Sequence, residues 1–418
     1  MTAVTGIITE YNPFHHGHIY HLEQSKKIGE SDKVVCILNG NFTQRGKPAL
    51  TDKWSRTRMA LSQGVNIVLE LPFVYGIRSA EYFAYGAIYM LDKINIVDNI
   101  VFGSERGDIR PLQRLADILV EEPPEFKEKL HLNLKKGNSF AKARHNAIRQ
   151  YFKRKDLNIS VVDSLASPNN ILGIEYLKAL KKLKSDIIPM TIKRVGEDYY
   201  SDRTDREIAS ASAIRKIFYD KNWDKVQEII PKKSWEVLKK DIKSKKIPIK
   251  REYFGTLILN NIRKKTIEDL KNYTELKNGF ENRFKKAAQN CGDYFSLVEN
   301  IKTSVLPQTR VQRNLLHVLF ELTAEQFEFM DKAGIQYIRV LGFDKKGEKL
   351  MGEIASSIDI PLIIQPAKYV ETVDIGSEDP LKRMLSYDIL AGNIYSLLYN
   401  NNNMRYAGRD YYKQLIKY

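Results

Sequence analysis

GIITEYNPFHHGH, residues 6 to 18, runs from a β-branched stretch into a turn at Asn12-Pro13 and then places three histidines, His15, His16 and His18, within four positions. His21 follows one helical turn later, so four of the chain's seven histidines crowd the end of one strand. A strand broken by Asn-Pro and followed at once by an amphipathic segment is the opening of a βα unit. The same pattern recurs downstream. KVVCILNG precedes DKWSRTRMALSQG, NIVLELP precedes SAEYFAYGAIYMLDKI, and NIVFGSE precedes PLQRLADILVEE. ISVVDS then precedes NNILGIEYLKALKKL, and DIIPMTIKR closes the series. Alternating short apolar strands and helices predict an α/β fold with a doubly wound parallel sheet. Each strand ends in a polar or glycine cluster, and in such sheets the carboxyl ends of the strands line the ligand crevice. Residues 7 to 18, 103 to 105, 163 to 170 and 193 to 200 are therefore expected to converge.

The chain has 418 residues, 43% of them apolar, which exceeds what one hydrophobic core usually serves. Two cysteines, Cys36 and Cys291, far apart, form neither a disulfide framework nor a metal knuckle and fit a reducing, cytoplasmic setting. No run of about 18 apolar residues is present, so neither a membrane span nor a membrane partner is expected. No obligatory protein partner is implied. The net charge of +16 suits a polyanionic partner. Residues 221 to 290 carry 19 basic and 9 acidic residues, so most of the excess lies mid-chain.

These shifts divide the chain into an α/β catalytic domain at 1–220, a mainly helical basic region at 221–330, and a small α/β plus helical C-terminal region at 331–418. In the last region GIQYIRVLGFD, GEKLMGEIASS and IPLIIQPAK read as strand, helix and strand.

Histidines at i and i+3 share a helix face and could ligate zinc, but no HExxH and no Cys/His pair at ligand spacing accompanies them, so no metal site is expected. A phosphate site explains more. His15, Gly17 and His18 open a helix, whose free N–H groups and positive dipole end favour an anion. Gly17 lets a flat base approach the backbone. Phosphate should shift His15 and His18 towards imidazolium, so that they stabilise charge on the α-phosphate and departing pyrophosphate. SASAIR, residues 210 to 215, opens a second helix and offers Ser210, Ser212 and Arg215 to the β- and γ-phosphates. Read alone, it is an ordinary serine cap.

HxGH followed by SxSxIR resembles the nucleotidyltransferase superfamily with the HUP, Rossmann-like fold. EYNPFHHGHIYH, GNFTQRGKPA (40–49), ELPF (70–73), FGSE (102–105), SPNNILGIEYLKAL (167–180), IKRVGEDYY (192–200) and ASAIR (211–215) more closely resemble the bacterial tRNA(Met) cytidine acetate ligase family. That resemblance implies a ligase that activates acetate with ATP as acetyl-adenylate and acetylates N4 of the wobble cytidine (C34) of elongator tRNA(Met). It implies that ATP is held by Ile7, Ile8, Thr9, Glu10, Tyr11, Asn12, Pro13, Phe14, His15, His16, Gly17, His18, Ile19 and Tyr20, and by Gly103, Asn169 and Arg194. Mg²⁺ is expected to share the phosphate charge. Gln44 and Arg45, on a loop at the crevice mouth, are candidates for acetate or cytidine. The basic helices, with Trp235, Tyr253 and Phe254 interleaved, supply the candidates for tRNA: Lys232, Lys233, Lys239, Lys240, Lys243, Lys245, Lys246, Lys250, Arg263, Lys264 and Lys265. The alternatives are an adenylyltransferase of a small metabolite, which leaves the basic half unexplained, and a non-catalytic RNA-binding adaptor, which has no need of HxGH.

Overall fold

Five parallel strands carry the sequence pattern: β1 (Val4–Thr9), β2 (Lys33–Asn39), β3 (Ile67–Leu71), β4 (Asn99–Ser104) and β5 (Ile188–Lys193). A computed structural model provides the coordinates and describes residues 3–138, 140–154, 167–194 and 209–418. The strand expected at ISVVDS lies outside those residues. Helices His16–Ile28, Lys53–Ser62, Ala80–Lys93 and Pro168–Leu183 connect or flank the strands as the periodicity predicts. Val34 to Leu38 of β2 have no exposed surface, because helices cover both faces of the sheet and every side chain meets an apolar neighbour.

The C-terminal strands do not form a separate piece. β6 (Ile338–Phe343) pairs antiparallel with β3, and β7 (Leu362–Ile363) and β8 (Ile416–Lys417) pair with β6. The sheet order is β5-β4-β1-β2-β3-β6-β7, with β8 beside β6, eight strands in all among the described residues. Residues 331–418 therefore complete the sheet begun by residues 1–220. Successive strands run outward from β1 on one side and resume at β4 on the other, which puts the topological switch point between β1 and β4.

Buried charge explains why β6 docks there. Arg339, 1% exposed, pairs with Glu70 of β3 at 3.0 Å and with Asp410 at 2.5 Å, while Lys53 reaches Glu70 at 2.7 Å and Asp410 at 2.5 Å. Asp388 completes the cluster, accepting hydrogen bonds from Tyr337 Oη and the Phe73 amide, each at 2.7 Å. Two cations balance Glu70 and Asp410, so a third carboxylate is in excess. Burial, and then the charge of Glu70, push the Asp388 pKa up to about 7. The unfolded value is about 3.9. Between those pH values the folded chain holds a proton that the unfolded chain has released, so stability falls as pH rises through this window. Asp388→Asn is expected to flatten that slope between pH 5 and pH 7, as urea denaturation at both pH values would show. An unchanged slope would remove Asp388 as its source.

A second buried cluster ties the basic region to the sheet. Lys246 pairs with Asp52 at 2.8 Å and with Asp241 at 2.9 Å, and Tyr399 Oη donates to Asp52 at 2.8 Å. Asp52 is also the N-cap of helix Lys53–Ser62. Phe42, in the loop after β2, contacts Phe73, Phe254, Phe320 and Tyr395 at ring separations of 5.2 to 6.2 Å. Gly46 in that loop has φ +77°, and a Cβ there would lie 2.4 Å from the Gln312 carbonyl carbon. Helix Gln308–Leu319 thus presses directly on the loop that carries Gln44 and Arg45.

Candidate active site

His15 is the N-cap of helix His16–Ile28, and the two histidines close a capping box. The Gly17 amide donates to His15 Nδ1 at 3.1 Å, and the His15 amide donates to His18 Nδ1 at 3.2 Å. The rings stack 3.8 Å apart, and Tyr11 and Phe14 hold His18 at 4.9 and 5.4 Å. With both Nδ1 atoms accepting, each neutral ring carries its proton on Nε2, which makes it a donor. Burial, then the charges of Arg194, His16 and Arg215, lower the His15 pKa to about 3, and burial followed by His15 lowers that of His18. These pockets favour neutral rings, and only added phosphate charge would oppose that bias.

The other expected elements arrive from across the switch point. Arg194 follows β5: its amide bonds the Ser104 carbonyl at 2.8 Å and its guanidinium donates to Asn169 Oδ1 at 2.9 Å. Gly103 makes that crossing possible, since a Cβ there would meet Arg194 Cγ at 2.9 Å. Arg215 reaches the Asn12 carbonyl at 2.6 Å, which brings helix Ala211–Tyr219 to the first turn. Ser210 caps that helix through the Ala213 amide at 3.3 Å and meets Ser212 Oγ at 3.1 Å. The plain capping role of Ser210 is thus realised, with Arg215 as the side chain that points back to the turn.

Two residues escaped the sequence reading. Glu105, in FGSE, accepts from Asn169 Nδ2 at 2.7 Å and from the Asn169 and Asn170 amides at 3.2 and 2.9 Å, so it orients Asn169 at the start of helix Pro168–Leu183. A carboxylate at a helix N-terminus is held by its free N–H groups. His21, to which the sequence assigned no role, faces Gly103 and Arg194, and burial and then Arg194 lower its pKa to about 4. Only the i, i+3 spacing from His18 hinted at this.

The side chains of Ile7, Tyr11 and Phe14 are buried in the core, which leaves their backbone as the part that can meet a nucleotide. Thr9 ends β1, Glu10 and the buried Asn12 and Pro13 lead through the turn, and Ile8, His16, Gly17, Ile19 and Tyr20 stay half-buried around it. Residues 163–166 and 195–200 lie outside the described residues. Lys246 is fully committed to the buried cluster with Asp52 and Asp241 and is withdrawn from the tRNA candidates. Arg263 donates to the Ala288 and Cys291 carbonyls at 2.8 and 2.9 Å, and Lys265 pairs with Glu321 at 3.2 Å. Phe254 is core and Trp235 half-buried, because the amphipathic helices turn those aromatics inward.

Gln44 is fixed at the mouth: its amide donates to Glu10 Oε1 at 2.7 Å and its side chain to the Arg78 carbonyl at 2.9 Å. Arg45 is exposed beside it. Glu10 and Glu105 are both engaged by hydrogen bonds, and no cluster of three or more His, Cys, Asp or Glu groups that could hold a metal occurs among the described residues. Among the described residues the crevice thus presents no carboxylate cage for Mg²⁺. No described helix is long and apolar enough to cross a membrane.

A model of the HIGH nucleotidyl transferase family matches residues 1–410. The chain is 46% identical to the tRNA(Met) cytidine acetate ligase of Halothermothrix orenii and 42% identical to that of Acetivibrio thermocellus, each over 99% of both chains. It superposes with a TM-score of 0.93 on the crystal structure of Thermotoga maritima TmcAL bound with alpha-thio ATP, at 36% identity and 99% coverage of both chains.

Proposed function

From the premise that this chain belongs to the HIGH nucleotidyl transferases and, within them, to the tRNA(Met) cytidine acetate ligases, we propose a role for each element of the crevice in a two-step acetyl transfer. The enzyme is an ATP-dependent ligase that modifies tRNA(Met). In the first step an acetate oxygen attacks the α-phosphorus of ATP in line, the bond to the β-phosphate bridge breaks, and pyrophosphate leaves. His15 and His18 donate from Nε2 to the phosphate oxygens on which charge builds, at a helix N-terminus that adds its own field. Arg194 and Arg215 flank the same phosphates from opposite sides of the switch point, and Asn169, held by Glu105, meets the nucleotide.

In the second step N4 of C34 in elongator tRNA(Met) attacks the acetyl carbonyl, AMP leaves, and the amine loses a proton. The cytosine amine is a weak nucleophile because its lone pair is delocalised, so the base must be splayed out and held against the adenylate. Gln44 and Arg45, on the loop at the crevice mouth, serve acetate or the cytidine. Catalysis falls to residues 1–220, and tRNA binding draws on the regions that follow together with the crevice mouth of the catalytic domain.

The observation that supports this best is the convergence of the stacked His15–His18 pair with Arg194 and Arg215, from three separate segments. Pyrophosphate exchange into ATP tests it. Exchange is expected with acetate, to be weaker with propionate, and to be absent without a carboxylic acid. Exchange independent of any acid would replace this reading with adenylyl transfer to another small molecule.

A further inference from the structure

Four cations meet at the crevice mouth, drawn from three elements. Arg45 and Lys47 come from the loop after β2, Arg215 from helix Ala211–Tyr219, and Arg251 from the first turn of helix Arg251–Lys264. They lie within each other's fields: burial, then Arg251, Arg215 and Arg45, lower the Lys47 pKa. Near them lie Glu10, whose Oε1 already accepts from Asn39 and Gln44, and Glu252. Holding like charges together costs folding energy, which an anionic partner would offset beyond the two carboxylates found among the described residues.

Aromatic rings interleave with these cations. The Arg251 guanidinium carbon lies 3.4 Å from the Tyr219 ring centroid. Tyr253, half-buried, is flanked by Arg405 at 4.5 Å and Lys250 at 5.3 Å. Flat guanidinium planes and tyrosine faces beside a cationic channel suit splayed bases and single-stranded phosphates. The start of the lysine run is placed differently. Lys233 Nζ donates to the Ser62 carbonyl at 2.7 Å, in the last turn of helix Lys53–Ser62. That helix leads away from the crevice towards the amino end of β3, so its ten residues separate Lys233 from the mouth by about 15 Å.

We propose that Lys47, Lys250, Arg251 and Arg405, with Tyr219 and Tyr253, form the surface that seats the anticodon loop and delivers its cytidine to the crevice, an inference that rests on the acetyl-transfer reading above. Lys232 and Lys233 lie outside it. The test compares Lys47→Gln/Arg251→Gln, Tyr253→Ala and Lys232→Gln/Lys233→Gln with the parent. Acetate-dependent exchange without tRNA is measured first, then tRNA(Met) affinity against KCl concentration and KM for tRNA. All variants are expected to retain exchange, which shows that they fold.

Lys47→Gln/Arg251→Gln should weaken tRNA binding at least tenfold and reduce the salt slope by about 1.4 to 1.8, at roughly 0.7 to 0.9 per lost phosphate contact. Tyr253→Ala should raise KM for tRNA at least fivefold through lost stacking. The Lys232/Lys233 pair should change neither. A Lys47/Arg251 double variant with parental affinity and slope overturns the proposal, as does a larger loss in the Lys232/Lys233 pair. A parent that binds tRNA but shows no acetate-dependent exchange would sink the acetyl-transfer reading, while the binding comparison would still decide the surface.

Discussion

His18→Asn is expected to slow acetate-dependent pyrophosphate exchange by about 10²- to 10³-fold, the cost of about 2.7–4 kcal/mol when one preorganised donor to a developing oxyanion is removed. Asparagine is the informative replacement. Its Oδ1 can take the place of Nδ1 and keep an acceptor for the His15 amide, so the capping geometry survives while the outward Nε2 donor is lost. Alanine would also uncover Tyr11 and Phe14, which pack against the ring. The affinity for tRNA(Met) should stay within twofold of the parent, because His18 lies at the inner turn and not on the cationic mouth. Exchange at the parental rate in a folded His18→Asn protein would show that the α-phosphate is stabilised elsewhere.

Arg339→Met should destabilise the fold by about 3–5 kcal/mol, the usual consequence of removing one partner from a buried ion pair. Glu70 and Asp410 would be left with Lys53 alone, in a site where both carboxylates are at most 3% exposed. Lys93→Met is the matched comparison. The Lys93–Asp359 pair is as short, at 2.5 Å, but Asp359 is 74% exposed, and such a pair contributes about 0–1 kcal/mol. Urea denaturation of the two variants should separate them by more than 2 kcal/mol on those ranges. Equal losses would mean that β6 is held by apolar packing and that the buried charges contribute only to pairing specificity.

Much of the molecule was legible along the chain. The near-continuous apolar runs of VVCIL and IVLEL, each followed by a helix-period segment, announce a parallel sheet because a strand covered on both faces must be apolar throughout. HHGH after an Asn-Pro break marks a helix start, since histidine can cap the first turn and Gly17 supplies a free amide. What stayed hidden was long-range. Glu105 looked like part of a motif, but its partner Asn169 is 64 residues away. Lys246 read as one more candidate for tRNA phosphate, and nothing near it in sequence showed that Asp52 would face it from the sheet domain.

The sequence by itself determined the local decisions: where strands run, where helices begin, and that imidazoles and a Ser-rich turn stand at helix starts. Those choices follow from side-chain period, capping chemistry and β-branching, all of which act over a few residues. Tertiary structure decided which charges meet. RVLGF became the sixth strand of the sheet because Arg339 found Glu70 and Asp410 in the interior, and the lysine run was sorted into buried Lys246 and exposed neighbours by the same requirement. A charge can enter a low-dielectric interior only beside its counter-charge, and the identity of that partner is fixed by the path of the whole chain.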